Sequence, residues 1–361
     1  MAEKTELRVQ KNDLANVTIV TEPIPALGEG EALLEVERFA VTANNVTYGI
    51  VGDRIGYWQF FPVPDDGQGI IPVWGFGRVI STSSDQVEVG ERVYGYFPMG
   101  THLTIKPLRK GGTLIDTADH RAHLPPAYNA YRLTAEEPEA AQQREDARAV
   151  LFPLFATSYI IADWLQENDH FGAEQVVVTS ASSKTSFGTG MMLKHVGSPS
   201  TRIGVTSERN KAFTESLGAF DQVLTYDKLA SIPNKPTALV DMSGNADVIS
   251  GVHNHLGENV KNSAIVGVTH WEAPRQSTPL PGAKPEMFFA PGQIQKRDQE
   301  LGRGILMNRA LEAWASAADS LGDLFSYEVH EGAEATKEIW QKTVHGQVSP
   351  TTGMLATMKG A

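Results

Sequence analysis

Five short runs of apolar and β-branched residues, each separated from the next by a turn or a helix-prone stretch, constrain this chain more than any other feature. They read QVVVTS at 175–180, TRIGVTS at 201–207, QVLTY at 222–226, TALVDMSG at 237–244 and NSAIVGVT at 262–269. A strand covered on both faces needs near-continuous apolar character, and such strands alternating with helices pack as a doubly wound parallel sheet. The predicted second half is therefore an α/β unit of the Rossmann arrangement. Ligands of such sheets bind at the carboxyl ends of the strands.

The first part of the chain has a different texture. From residue 31 to about 110 the runs ALLEVERFAV, IPVWGFGRVIST, VEVGERVYGYF and HLTIKP are β-rich and broken by glycine and proline, predicting an all-β module. Residues 111–148 lose that pattern and predict a charged surface connection or insertion. The apolar stretch AVLFPLFATSYIIADWLQEN then predicts a helix at 149–168, with a domain boundary near 148. At 361 residues the chain exceeds the roughly 250–300 residues at which single cores stop growing. The expected division is 1–148, 149–302 and a return of 303–361 to the first domain, ending as strand, helix, strand.

A formal net charge of -12 repels polyanions and argues against nucleic-acid or anionic-membrane partners. The opening MAEKTELRVQ is polar and no run reads as long enough to span a bilayer, so a cytoplasmic location is expected. The absence of cysteine removes disulfides, thiolate nucleophiles and cysteine-built zinc sites. His253 and His255 are two apart, a spacing that does not align them on a helix. There is no G-x-S-x-G elbow, and SSKT lacks the glycine framework of a P-loop.

Several segments, in order, resemble the medium-chain dehydrogenase/reductase superfamily, particularly its quinone oxidoreductase and enoyl reductase branches. EGEALLEVERFAVTANNVTYGIVGD is similar to the family's opening strand and catalytic loop, and GERVYGYF to its G-D-R-V-x-G turn. FATSYIIADWL is similar to its G-L-T-A-Y helix, and SLGAFDQVLTYD to its L-G-A-D-x-V-I-x-Y segment. The resemblance implies a GroES-like β-rich catalytic domain plus a Rossmann cofactor domain, NADP(H) as cofactor and a homodimer. It also aligns the family's zinc-ligand cysteine with Ala43 and its His-Glu pair with Val73 and Trp74. Neither Ala nor Val carries a lone pair for zinc, so no metal site is expected.

The turn after the first Rossmann strand reads TSASSKTSFGTG, Thr179 to Gly190, and places Ser183, Lys184 and Ser186 where the resemblance expects glycines. Two readings stand: dinucleotide binding has been lost on a retained fold, or the hydroxyls of Ser182, Ser183 and Thr185 with the Lys184 ammonium replace backbone contacts to phosphate. Gly188 and Gly190 offer a shifted turn. The second reading is favoured because Ser, Thr and Lys are all phosphate-compatible. At the end of the next strand Thr206, Ser207, Arg209 and Lys211, with Tyr226, favour a 2′-phosphate over a free ribose hydroxyl, while Glu208 stands one position late. Thr157, Ser243 in DMSG, and Gly267 and Thr269 in GVT are expected near the nicotinamide.

For chemistry, Asn44, Asn45 and Tyr48 are the candidates: an amide or a phenol can hydrogen-bond a carbonyl oxygen, and a phenol can donate its proton. An asparagine there serves equally as a turn residue. Tyr57, Trp58, Phe60, Phe61 and Trp74 are candidates to pack on a planar substrate. Lys296 and Arg297, in MFFAPGQIQKR, are candidates for a carboxylate or phosphate. The expected activity is zinc-independent, NADPH-dependent hydride transfer to an activated carbonyl or alkene. A non-redox lyase or isomerase on the same scaffold, or a non-enzymatic NADPH-binding protein, stands as the alternative.

Overall fold

The computed structural model describes residues 2–266, 279–321 and 325–359. It divides into two compact units, Met1–Pro153 with Gly322–Ala361, and Leu154–Leu321. In the first unit the polar N-terminus is itself a hairpin: Glu3–Gln10 pairs antiparallel with Asp13–Pro23. Leu7 and Val9 are core residues, and between them the buried Arg8 pairs with Glu6 and with Glu22 of the facing strand. That hairpin lies upstream of residue 31, where the sequence reading began.

The larger sheet of this unit runs Ser326–Glu331, Thr352–Thr357, Ala32–Val41, Pro72–Thr82, Arg92–Pro98, Ala130–Leu133, Thr113–Asp116 and Pro107–Lys110, with His102–Ile105 also on Ala32–Val41. Two of these strands, Thr113–Asp116 and Ala130–Leu133, lie in the stretch expected to be a surface connection. They are only four residues each, too short for a period to show among charged neighbours. The final segment enters as strand, helix (Ala333–Val344) and strand, and Met354 pairs with Val41.

Pro72–Thr82 and Arg92–Pro98 are antiparallel in a register that sets Trp74 opposite Tyr96, Gly75 opposite Gly95 and Phe76 opposite Tyr94. Opposed residues share a face and alternate along the strand, so four aromatics line one side and two glycines the other. The glycines are needed: a Cβ on Gly75 would stand 2.2 Å from the Arg38 carbonyl oxygen, and one on Gly95 would stand 2.3 Å from the Tyr131 ring. Helix α1 (Ala43–Ile50) and the short turns Tyr57–Gln59 and Pro126–Asn129 lay Tyr48, Tyr57 and Tyr128 against this aromatic face.

Helix α2 (Glu145–Glu167) carries the chain into the second unit, with Pro153 inside it. By length and composition it is long and apolar enough to cross a membrane, unlike the sequence expectation, but most of it is buried within the protein. The second unit is a parallel sheet of β1 (Gln175–Thr179), β2 (Thr201–Thr206), β3 (Gln222–Thr225), β4 (Thr237–Asp241), β5 (Val260–Ile265) and β6 (Glu286–Met287), in the order β3-β2-β1-β4-β5-β6. β1 and β4 are buried at every position, as their unbroken apolar runs require. Helices α3 (Lys184–His195), α4 (Glu208–Ser216) and α5 (Ala246–Leu256) form the crossovers. α6 (Ala290–Leu301) and α7 (Ile305–Leu321) complete the unit, so the chain remains in it beyond residue 302.

Candidate functional site

The carboxyl edge of the parallel sheet centres on the turn between β1 and α3. Ser180 adopts the left-handed region at φ 51, the conformation a glycine usually supplies and a side chain strains. Tyr226, at the end of β3, hydrogen-bonds both the side chain and the backbone of Ser180 and so braces it; burial pushes the Tyr226 phenol up, and those bonds offset part of the rise. Ser183 is the N-cap of α3: its Oγ accepts from the Ser186 N–H at 3.3 Å and shares a 2.7 Å hydrogen bond with Ser186 Oγ. Ser186 in turn donates to the Thr179 carbonyl at 2.9 Å. The hydroxyl of Ser182 accepts from Thr206 Oγ1 at 3.3 Å and Asn210 Nδ2 at 3.0 Å. Ser182 and Ser183 thus both hydrogen-bond within the turn and help to shape it.

Lys184 and Thr185 open α3. Its first turn holds no acidic residue, and burial pushes the Lys184 ammonium down to about 8. A cation at a helix N-terminus opposes the macrodipole, whereas an anion there is favoured by dipole and free N–H groups together. The arrangement suits an anionic group. Gly188 and Gly190 are not part of the turn but lie inside α3, where a Cβ would stand 2.7 Å from Ser158 Oγ and from the Ala219 carbonyl oxygen respectively. Ser158 Oγ also donates to the Thr185 carbonyl at 2.8 Å, fixing α2 to the start of α3 beside the half-buried Thr157.

At the tip of β2, Ser207 begins α4, and its Oγ is buried without a hydrogen-bonding partner among the described residues. A buried unpaired hydroxyl costs free energy unless a ligand or water completes it. Arg209 is exposed behind it, and Glu208 points to solvent as the first helical residue; Lys211 is tied to Glu215 at 2.5 Å. Between β1 and β4, the buried Asp241 accepts from Thr179 Oγ1 at 2.5 Å, Ser243 Oγ at 2.7 Å and the Gly244 N–H at 2.8 Å. Ser243 is therefore drawn onto the carboxylate of Asp241, which opens the same DMSG segment. Gly267 and Thr269 lie outside the described residues.

In the first unit the three candidates separate. Asn45 is buried and committed to backbone: its Oδ1 accepts from the Thr42 N–H at 2.7 Å and its Nδ2 donates to the Pro72 carbonyl at 3.0 Å. It is the turn residue, a capping partner for α1. Asn44 and Tyr48 stay together, Asn44 Nδ2 donating to the Tyr48 phenol oxygen at 2.7 Å. A second donor, unforeseen from sequence, is Trp74 Nε1 at 3.1 Å from the same oxygen. Tyr57 and Tyr128 share a hydroxyl hydrogen bond of 2.9 Å, and Tyr96, whose ring lies 5.6 Å from Tyr48, has a buried hydroxyl with no partner among the described residues. Burial raises the phenols of Tyr48, Tyr57, Tyr96 and Tyr128 well above the ordinary tyrosine range. They stay protonated at any working pH.

Other sequence candidates have structural employment. Arg297 forms a two-point pair with Asp163 at 2.7 and 3.0 Å, and Lys296 pairs with Glu167 at 2.5 Å, so both fasten α6 to α2 and are not held ready for a substrate anion. Trp58, Phe60 and Phe61 are core. His253 is buried with its Nδ1 2.9 Å from the Pro281 carbonyl and its Nε2 2.9 Å from Ser263 Oγ. Among the described residues no group of three or more metal-ligating side chains converges.

The sequence of residues 39–349 matches the model of a family described as protein of unknown function, DUF2855. The chain belongs to the DUF2855 family. No match to it was found among curated protein sequences. Its fold matches solved structures over nearly the whole length. CurA from Vibrio vulnificus in complex with NADPH is 13% identical, with 100% of both chains covered and a TM-score of 0.62. The Etr1p complex with NADP and crotonyl-CoA is 13% identical over 99% of this chain and 100% of the other, at 0.61. The quinone oxidoreductase of Coxiella burnetii is 17% identical over 98% and 99%, at 0.53. The DUF2855 chain thus has the fold of the two-domain medium-chain dehydrogenase/reductases, a GroES-like unit and a Rossmann unit.

Proposed function

We propose that this DUF2855 protein is a zinc-independent, NADP(H)-dependent oxidoreductase that reduces an activated carbonyl or alkene of the quinone or enone kind. The observation that carries the reading is the sheet's carboxyl edge. There a helix start with Lys184 and no acid stands next to a strand tip whose Ser207 hydroxyl is buried and has no hydrogen-bonding partner among the described residues. The first suits a pyrophosphate and the second, with Arg209 behind it, an adenosine 2′-phosphate. Two neighbours of the same fold were solved with NADPH and with NADP. Lys184, Thr185, Ser207, Arg209 and Tyr226 would hold the dinucleotide, with Thr157 and Ser243 toward its nicotinamide. When bound, the cofactor supplies hydride. This chain must then orient the acceptor, polarise its oxygen and deliver a proton. Tyr48 is the proton source of this reading, and Asn44 acts through it.

Zinc independence is supported by Ala43 and Val73 and by the lack of a converging ligand set among the described residues. A homodimer is supported by β6, an outer strand that exposes Met287, with Phe289 exposed just beyond it. The net charge of -12 fits a small-molecule enzyme of the cytoplasm better than a partner of nucleic acid or membrane.

The test is turnover: the full chain is mixed with NADPH and a panel of small quinones and enones, and loss of dihydronicotinamide absorbance is followed beside product analysis. Matched oxidation and reduction are expected. Product formed with no loss of NADPH absorbance would replace this reading with a lyase or isomerase. That alternative would use Tyr48 as an acid/base with no net change in the nucleotide.

A further inference from the structure

The phenol oxygen of Tyr48 receives two hydrogen bonds, from Asn44 Nδ2 at 2.7 Å and Trp74 Nε1 at 3.1 Å. A phenol oxygen has one proton to give and a limited number of acceptor positions. Two N–H donors fill the acceptor side, so the O–H must point away from both. No hydrogen-bond acceptor for that proton occurs among the described residues, although Tyr48 is 6% exposed. Asn44, Trp74 and Tyr128 around it are half-buried. The ring cannot swing to another acceptor: it is wedged between Tyr57, 4.6 Å away centroid to centroid, and Tyr96. Trp74 is fixed in turn by its cross-strand partner Tyr96 at 5.1 Å.

We infer that Trp74 and Asn44 are positioning residues that aim the Tyr48 hydroxyl, as a single neutral donor, at the carbonyl oxygen of an enone or ketone substrate. This rests on the oxidoreductase reading and adds to it the residue that orients the acid and the neutral chemistry of the group it takes. In the transfer the Tyr48 O–H bond breaks and an O–H bond to the substrate oxygen forms. The bonding pair stays on the phenolate oxygen, and water later returns the proton. The two electrons that reduce the substrate would be supplied by the dihydronicotinamide of that reading. As the phenolate develops, the N–H groups of Asn44 and Trp74 become charge-assisted donors, which are about twice as strong as neutral ones. Removing one donor to a developing anion commonly costs about 100-fold in rate.

The experiment uses the full chain without cofactor and carbonyl-labelled cyclohexenone as probe, read by infrared difference spectroscopy. Wild type is expected to give one sharp carbonyl band moved to lower frequency. Tyr48→Phe loses it. Trp74→Phe, which keeps the ring and removes only the N–H, and Asn44→Ala each broaden the band and weaken probe binding about 3–10-fold, the worth of one hydrogen bond. A simple structural role for Trp74 would not alter the carbonyl frequency, and near-ultraviolet circular dichroism shows whether each variant keeps its packing. An unshifted band in wild type at millimolar probe, a shift that survives Tyr48→Phe, or a band unchanged in both Trp74→Phe and Asn44→Ala overturns the inference. NADPH titration of the same samples separates the two ideas. NADPH bound with the probe band unshifted removes this inference and leaves the cofactor reading standing, whereas absence of NADPH binding removes that reading.

Discussion

Lys184 pits stability against binding at a single side chain. Its ammonium is held down to about 8 by burial, so between pH 8 and the ordinary lysine value of about 10.4 the unfolded chain binds more protons than the folded one. The sign follows: the ligand-free protein gains stability as pH rises through that window, and below pH 8 the buried charge is a cost. Lys184→Met is therefore expected to stabilise the ligand-free protein at pH 7 by about 1–2 kcal/mol, measured by urea unfolding, while weakening NADPH binding about tenfold or more. If Lys184 meets phosphate as proposed, wild-type NADPH affinity should fall as pH rises above about 8, and the same titration on Lys184→Met should be flat. At this scale the sequence was partly legible. Lys184 and Tyr48 stand out by residue type. That Asn45 is spent on Thr42 and Pro72 while Asn44 meets the phenol depends on a helical phase no composition reveals. Trp74 lay hidden among aromatics because its N–H, not its ring, makes the contact.

At the scale of elements, the five apolar runs forecast β1 to β5 because strands buried on both faces leave little choice of residue. The short strands after 111 and the two-residue β6 carry too few positions to show a pattern. The β1–α3 turn escaped a motif reading because serine, braced by Tyr226, occupies the left-handed position at Ser180. Supplying the residue that this conformation favours is informative: Ser180→Gly should relieve backbone strain and leave stability within about 1 kcal/mol of wild type, whereas Tyr226→Phe should loosen the turn and weaken NADPH binding several-fold without unfolding the sheet. Further along, His253 joins α5 to β5 through Ser263 and to the Pro281 carbonyl. Since carbonyls only accept, Nδ1 carries the proton and Nε2 accepts from Ser263. Burial lowers its pKa, so stability is full above the unfolded histidine value of about 6.5 and falls as pH drops toward the folded value. His253→Gln should flatten part of that slope in chemical unfolding followed from pH 7 to 5. A slope unchanged by the substitution would assign the acid sensitivity to His102 and His170, which burial lowers as well.

Across the whole molecule the two units divide the work expected of the fold. On the proposed reading the parallel sheet offers an anion-binding edge and the β-rich unit a buried, neutral proton donor. Nothing in the bulk numbers forecasts that division; it came from the order of the segments and their resemblance to the medium-chain reductases. The exposed apolar pair Met287, in the outer strand β6, and Phe289, just beyond it, belongs to this scale too. Sedimentation of the intact chain should give twice the 361-residue mass, and Met287→Lys with Phe289→Lys should shift it to monomer; a monomeric wild type would remove the proposed dimer. The central claim, that a serine- and lysine-built turn still binds a phosphorylated dinucleotide, is tested most directly by titrating the tryptophan fluorescence of the intact protein at pH 7 with NADPH and, separately, NADH. Saturable quenching by NADPH, at least about tenfold tighter than by NADH because a 2′-phosphate contact is charge-assisted, is the predicted result. No saturation by either nucleotide at millimolar concentration would contradict the account and leave the fold without the cofactor.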